Sequence, residues 1–277
     1  MARTGERQNH RRLNRPFRGL FLLVVAFLGS TVFLGSTVFL GSTGFMGPGV
    51  AGATTMTPAQ ELASAGAAAK GEPSFHYVSS QTQSGQSVLI SGDVSRSGGR
   101  QTIVADIGGQ VGHVTVSLVD GAAYFRGDEA GLQNFMQLPA GLAAEYTNQW
   151  ISLAKDDPGY AGVAAGLTTA SALSQVAIAQ PLTLHGLTRK MGQRVLIIDG
   201  TDRQTPSGAT KPVTIPVKLY VKASGKPLPV LYSATSVVDG HPVSQSVSFS
   251  HWQEPVSVSA PVGAVPMSSL GGGPTEA

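Results

Sequence analysis

No cysteine occurs in the 277 residues. That absence excludes a disulfide scaffold, a cysteine-ligated zinc site, a thiol nucleophile and an acylated lipobox cysteine. Charge is also scarce: 13% of the residues are charged, about half the ~25% usual in soluble domains. Disorder throughout is excluded by a 42% hydrophobic content and a net charge of only +3. A basic nucleic-acid binder is excluded by position. Residues 1–18 hold six arginines and Glu6, a net +5; the remaining 13 basic and 15 acidic residues give −2. The pI near 9.3 belongs to the first 18 residues, and the body is faintly acidic.

Residues 19–53 carry no charge and begin with the apolar run Leu20–Leu28. A basic flank before such a run is the pattern of an export signal or anchor with a cytoplasmic N-terminus. The hexapeptide Phe-Leu-Gly-Ser-Thr-x repeats at Phe27–Val32, Phe33–Val38 and Phe39–Gly44. It stretches the segment Leu20–Met46 to about 40 Å as a helix, enough for a ~30 Å hydrocarbon core. Ala51 and Ala53 supply the small-x-small spacing of a signal-peptidase site. Cleavage after Ala53 and retention as a single membrane anchor both fit, and both place the body outside the cytoplasm. The expected division is a basic leader (1–18), a signal or transmembrane segment (19–46), a linker (47–56), a folded domain (57–262) and a flexible tail (263–277). Gly47–Gly52 matches G-x-G-x-x-G, but it follows no strand and opens no apolar helix, so it is no nucleotide site.

Thr57-Pro58-Ala-Gln60 has the form of a capping box with proline at the first helical position. It predicts a helix to about Lys70, ended by Gly71. Strand signals follow: five short strands are expected at 74–82, 86–95, 100–107, 112–119 and 122–127, with Asp120-Gly121 closing a tight hairpin. Leu132, Phe135, Met136, Leu142 and Tyr146 then recur at helical spacing, Asp128 stands as a cap, and Pro139 breaks the run in two. Gln149–Leu153 is a short extended piece, Asp157-Pro158 restarts a helix through Val163 and Leu167, and 168–179 continues helical. Six more strands are expected from Leu182 to Val258, with turns at Asp199-Gly200, Ser224-Gly225 and Asp239-Gly240. The fold class is α+β: a large curved antiparallel sheet of about 11 strands, a half-barrel, with the helical block on its concave face.

The hairpin Leu118-Val-Asp-Gly-Ala-Ala-Tyr-Phe-Arg-Gly127, the helical block with Gln149–Asp157, and the closing Phe249-Ser-His-Trp252…Pro255…Ala260-Pro261 resemble the LppX/LprG family of actinobacterial envelope lipoproteins, with a LolA/LolB-like half-barrel. The resemblance covers about residues 57–268. It implies a non-enzymatic extracytoplasmic protein that holds a lipid or other hydrophobic molecule between sheet and helices. Members of that family typically carry an acylated cysteine after the signal peptide. This chain has none, which leaves a secreted or helix-anchored form. Helical spacing makes Leu132, Phe135, Met136, Leu142, Tyr146 and Trp150 core candidates; the resemblance implies that these, with Phe125, Val163 and Leu167, line an apolar cavity. A sheet of so many strands cannot bring all its concave residues into contact, and an apolar void costs about 24 cal/mol per Å³ unless filled.

No motif points to catalysis, a cofactor or a metal. The histidines lack the H-x-H and H-E-x-x-H spacings and are expected as strand-surface or turn residues. Asp128-Glu129 and Asp156-Asp157 are expected as helix caps. A hydrolase would require a polar cleft in which a histidine and a carboxylate converge. The alternative function is an extracytoplasmic sensory or protein-recognition domain, offering an edge strand near His241–Phe249 to a protein partner whose nature the sequence leaves open.

Overall fold

In the computed structural model, which describes residues 56–204, 212–238 and 241–270, the chain opens with α1 (Pro58–Gly71). The capping box is made in full: Gln60 N donates to Thr57 Oγ1 at 3.3 Å, and Thr57 N donates to Gln60 Oε1 at 2.9 Å. Six strands follow in a meander, β1 (Ser74–Gln83), β2 (Gln86–Ser95), β3 (Gly99–Ile107), β4 (Gln110–Val119), β5 (Ala122–Gly127) and the short β6 (Ile151–Leu153). Between β5 and β6 lie a π-helical turn (Gly131–Phe135) and α2 (Ala140–Glu145). Pro139 separates them, as its ring and missing N–H dictate. After β6 come α3 (Tyr160–Ala164) and α4 (Thr169–Leu173), then a second meander: β7 (Ala179–Lys190), β8 (Gln193–Gln204), β9 (Val213–Lys222), β10 (Pro229–Val238) and β11 (His241–Ser250).

With the two-residue β12 (Val265–Pro266), all strands among the described residues belong to one open sheet, ordered β12-β6-β5-β4-β3-β2-β1-β11-β10-β9-β8-β7. The two meanders join where β1 pairs antiparallel with β11. The architecture is a curved half-barrel with few helices. Alternation along the strands sets the faces: Phe75, Tyr77, Ser79 and Gln81 of β1 are buried inward, while His76 and Val78 point out. Val88, Ile90 and Val94 of β2 and Ile215, Val217, Leu219 and Val221 of β9 follow the same rule. The hairpins β1–β2, β3–β4, β4–β5 and β7–β8 close on two residues, Ser84-Gly85, Gly108-Gly109, Asp120-Gly121 and Met191-Gly192, all at positive φ. This turn geometry matches the right-handed strand twist.

Several expectations are corrected. The helix foreseen over 168–179 ends at Leu173, because Val176 and Ile178 run down onto the sheet and Ala179 already opens β7. Asp199-Gly200 is no turn. It lies within β8, where Gly200 leaves room for Ile178 and Leu182; a Cβ there would stand 2.5 Å from Ile178 Cγ2. The strand near 241–249 is no edge, since β11 lies between β1 and β10. Five strands, not six, fill the second meander, and residues 251–264 form an extended strap. Residues 263–270, foreseen as the start of a tail, pair instead: β12 (Val265–Pro266) runs parallel to β6, and Met267 and Leu270 pack on the core. No helix among the described residues is long and apolar enough to cross a membrane. The signal or anchor expected at 19–46, Ala51, Ala53 and the Asp239-Gly240 turn lie outside the described residues.

Candidate functional site

The concave face is closed along most of its width and less covered at the β7 edge. Over β2–β6 it is closed. Phe125, Leu132, Met136, Val163 and Leu167 are all buried there, together with Leu138, Ile151 and Leu153. The π-helical turn crosses β4 at backbone contact: a Cβ on Gly112 would lie 2.5 Å from Gly131 N. Only two facing glycines allow that approach. Phe135 and Tyr146 pack on the rim of this cluster, half-buried, and Leu142 is half-buried on α2. Trp150 is placed elsewhere. It stands on the outer face, with the Arg126 guanidinium 5.1 Å from its ring centroid. Seven of the nine expected lining residues therefore lie in or around one core; Leu142 is half-buried on α2 outside that cluster, and Trp150 is set apart on the outer face.

Over β8–β10 the inner residues Ile198, Ile215, Val217, Leu219, Val221 and Tyr232 are buried as well, and cover thins only at the β7 edge. Here α1 packs against β7, β10 and α4, presenting Ala65 and Ala69, whose small side chains let the helix sit low. Leu62, Leu173, Val176, Ile178, Leu182 and Leu184 touch the core and are half-buried. Leu182 and Leu184 belong to β7, a free edge strand exposed at every other position. Two tyrosines anchor the middle of the face. The Tyr77 hydroxyl donates to Gln101 Oε1 and lies 3.2 Å from the Gly166 carbonyl oxygen. The Tyr232 hydroxyl donates to Asp202 Oδ2 at 3.1 Å. Burial pushes both phenols well above their ordinary value, and for Tyr232 the Asp202 charge adds to it. Both are neutral donors, useful for fixing geometry rather than for proton transfer. The apolar patch at the β7 edge is built from aliphatic residues on separate elements, which share no single periodic run in the sequence. Alternation of Leu182 and Leu184 with Thr183 and His185 was the available signal.

The outer face carries the histidines. His76 Nδ1 lies 2.7 Å from Asp93 Oδ1, and His113 Nδ1 lies 2.8 Å from Asp128 Oδ2. His185 Nε2 lies 3.1 Å from Asp199 Oδ2, which also takes Lys218 Nζ at 2.6 Å. These pairs went unseen in the sequence, yet turn position encodes them: His76 and Asp93 are equidistant from Ser84-Gly85, and His113 and Asp128 from Asp120-Gly121. Asp128 also caps as expected, accepting from Gly131 N at 2.7 Å. Burial alone would raise its carboxyl; the His113 and Gly131 amides and the His113 ring outweigh that and hold it low. Asp157 instead closes a turn, accepting from Ala154 N at 2.7 Å.

A cleft of about 330 Å³ lies beneath the strap, lined among others by His76, Asp93, Arg100, His251 and Glu254. With Ser91 nearby, it is the place to look for nucleophilic chemistry. Ser91 Oγ is 3.5 Å from His76 Nε2, beyond the ~2.6–3.2 Å of a working nucleophile–base contact. The Asp93 side chain is 62% exposed, whereas the orienting carboxylate of such a triad is buried. The row does not assemble a charge relay. Among the described residues, no group of three His, Asp or Glu side chains is placed to hold a metal ion.

No family model matches the sequence. No curated protein matches it. Among solved structures, LprF from Mycobacterium bovis is similar over 74% of this chain and 96% of its own, with a TM-score of 0.49 and 15% identity. The Mycobacterium tuberculosis lipoprotein LppX is similar over 72% of this chain and 96% of its own, with a TM-score of 0.43 and 16% identity. Both are proteins of the kind the sequence resembles.

Proposed function

We propose that the chain is an extracytoplasmic, non-enzymatic carrier of a hydrophobic ligand, a lipid or acyl chain, taken up between α1, the segment 173–178 and the inner side of the β7 edge. The observation behind this reading is the half-buried apolar patch at the β7 edge beside an otherwise closed core. An acyl chain laid along it gains ~0.8 kcal/mol per buried methylene. Eight carbons then supply about 6 kcal/mol, within the estimated ~4–15 kcal/mol of association entropy that any ligand must offset. Attachment to the membrane is assigned to residues 19–46, or lost by cleavage after Ala53. A reporter fused after Gly71 is expected to be active only outside the cytoplasm, and N-terminal sequencing of the mature protein distinguishes the two forms.

The direct test is native mass spectrometry and organic extraction of the full chain purified from an envelope fraction, with uptake of a fluorescent fatty acid. Leu182→Asp is expected to cut uptake at least tenfold, as a charge placed on the proposed path. Met136→Trp is expected to disturb folding rather than uptake, since Met136 is already packed. No extracted lipid together with no uptake removes the proposal. The free edge of β7 favours a second reading, a protein that recognises a partner strand by β-pairing. A protein co-purifying in stoichiometric amount, with an empty lipid extract, supports that one.

A further inference from the structure

The β7–β8 hairpin is built against ordinary turn chemistry. Its first turn residue, Met191, sits at φ +49, a left-handed conformation that favours Gly, Asn and Asp. The equivalent positions in the β1–β2, β3–β4 and β4–β5 hairpins are Ser84, Gly108 and Asp120. Met191 is also 55% exposed, and Leu187, four residues before it at a break in the β7–β8 register, is 56% exposed. The next pair of the ladder places Arg189 opposite Arg194, like charges in a cross-strand position that destabilises a hairpin. No carboxylate among the described residues pairs with either. Lys190 lies 5.4 Å over the Tyr220 ring, and Lys222 is opposite Val195. Residues 186–198 and 220–229 contain no Asp or Glu.

The exposed apolar side chains and the unpaired like charges of this tip are unfavourable in water and favourable at one kind of surface. Apolar side chains at a tip, ringed by Lys and Arg, suit the boundary between headgroups and acyl chains of a negatively charged bilayer. We propose that the β7–β8 tip docks on an anionic lipid surface. Met191 and Leu187 enter the interface, while Arg189, Lys190, Arg194 and Lys222 lie among the phosphates. Each cation is then worth about fivefold in partitioning. The docking surface is separate from the ligand path of the proposed carrier function, so either can fail alone.

The cysteine-free sequence allows a clean test on the full chain. Gln193→Cys is labelled with an environment-sensitive fluorophore, and Gln86→Cys, at the opposite strand ends, serves as the control. Each protein is reconstituted in phosphatidylcholine vesicles, or in vesicles containing one quarter phosphatidylglycerol, with a nitroxide-labelled lipid as quencher. Because the apolar N-terminal segment can hold the chain on both, the probe isolates the tip. Blue-shifted, quenched emission at position 193 in the anionic vesicles only is the expected result. Arg189→Ser with Arg194→Ser should weaken it roughly 25-fold. Met191→Asn should weaken it roughly tenfold while raising Tm by about 1–2 °C, since asparagine relieves the turn. A merely structural methionine would not move the two readouts in opposite senses. Water-like emission at 193 in anionic vesicles overturns the proposal, as does equal quenching at 86. So does a signal that ignores phosphatidylglycerol and rises with the protein-to-lipid ratio, which would assign the tip to a second copy of the chain.

Discussion

Replacing Leu132 by alanine separates a closed core from an open one. Leu132 is fully buried, and its Cδ2 lies 3.4 Å from where a Cβ on Gly127 would stand. The backbone around it is pinned by the Gly112–Gly131 crossing, so the site cannot collapse onto the space left behind. Leu→Ala changes in such positions cost about 3–4 kcal/mol, transfer and cavity terms together. For a domain of this size that is a fall of roughly 6–16 °C in Tm. Leu182, half-buried on the β7 edge, should lose about 1 kcal/mol on the same change. Thermal and urea unfolding of the full chain in mild detergent, followed by far-UV circular dichroism, gives both numbers. Fatty-acid uptake is measured in parallel. Leu132→Ala should unfold early yet bind normally when folded, and Leu182→Ala should do the reverse. A loss under about 1 kcal/mol for Leu132→Ala, with uptake reduced, would refute the reasoning, because it would put the ligand space under the helical block.

Three further outcomes follow from geometry already given. Thr57→Ala removes the hydroxyl arm of the capping box at the start of α1, leaving the Gln60 amide without its acceptor, and should cost about 1 kcal/mol in urea unfolding. Gly112→Ala drives a methyl into the Gly131 backbone and should cost about 1–3 kcal/mol, with the loss reproduced by Gly131→Ala. The depressed Asp128 carboxyl contributes stability that is complete above its ordinary value near 3.8 and lost as pH falls below that value. Stability measured between pH 6 and 2 should therefore decline less steeply in Asp128→Asn than in the unaltered chain; identical slopes would contradict the assignment.

The local signals in the sequence were sound where local chemistry decides. Thr57, Pro58 and Gln60 start a helix by their own hydrogen bonds, and Asp120-Gly121 turns the chain by its φ preference. They failed where a distant segment decides. Asp199-Gly200 has turn composition, yet Ile178 and Leu182 lie over the glycine and keep β8 straight. Trp150 fits a helical stripe by spacing, but its neighbour Ile151 pairs with Phe125, which turns the indole outward to Arg126. Apolar periodicity showed that the 128–167 block is buried; it carried no information on whether the space beneath was full. The half-buried patch depends on β7 being a sheet edge, and edge status is a property of topology rather than of any short segment.

The pairing of β1 with β11 also sets an order of assembly. Ser248 and Val78, joined across that seam, are 170 residues apart. At ribosomal rates of ~5–20 residues per second, β1 waits roughly 10–30 s for its partner. The first meander can zip up on its own during that interval, leaving β1 as a provisional edge open to the wrong neighbours. Its sequence there is Ser79-Ser80-Gln81-Thr82-Gln83, and the strand that arrives late offers Ser244-Gln245-Ser246 opposite. The distal half of the seam that closes last is thus written on β1 in hydroxyl and amide side chains, and the apolar residues of the waiting strand, Phe75, Tyr77 and Val78, are confined to its other half.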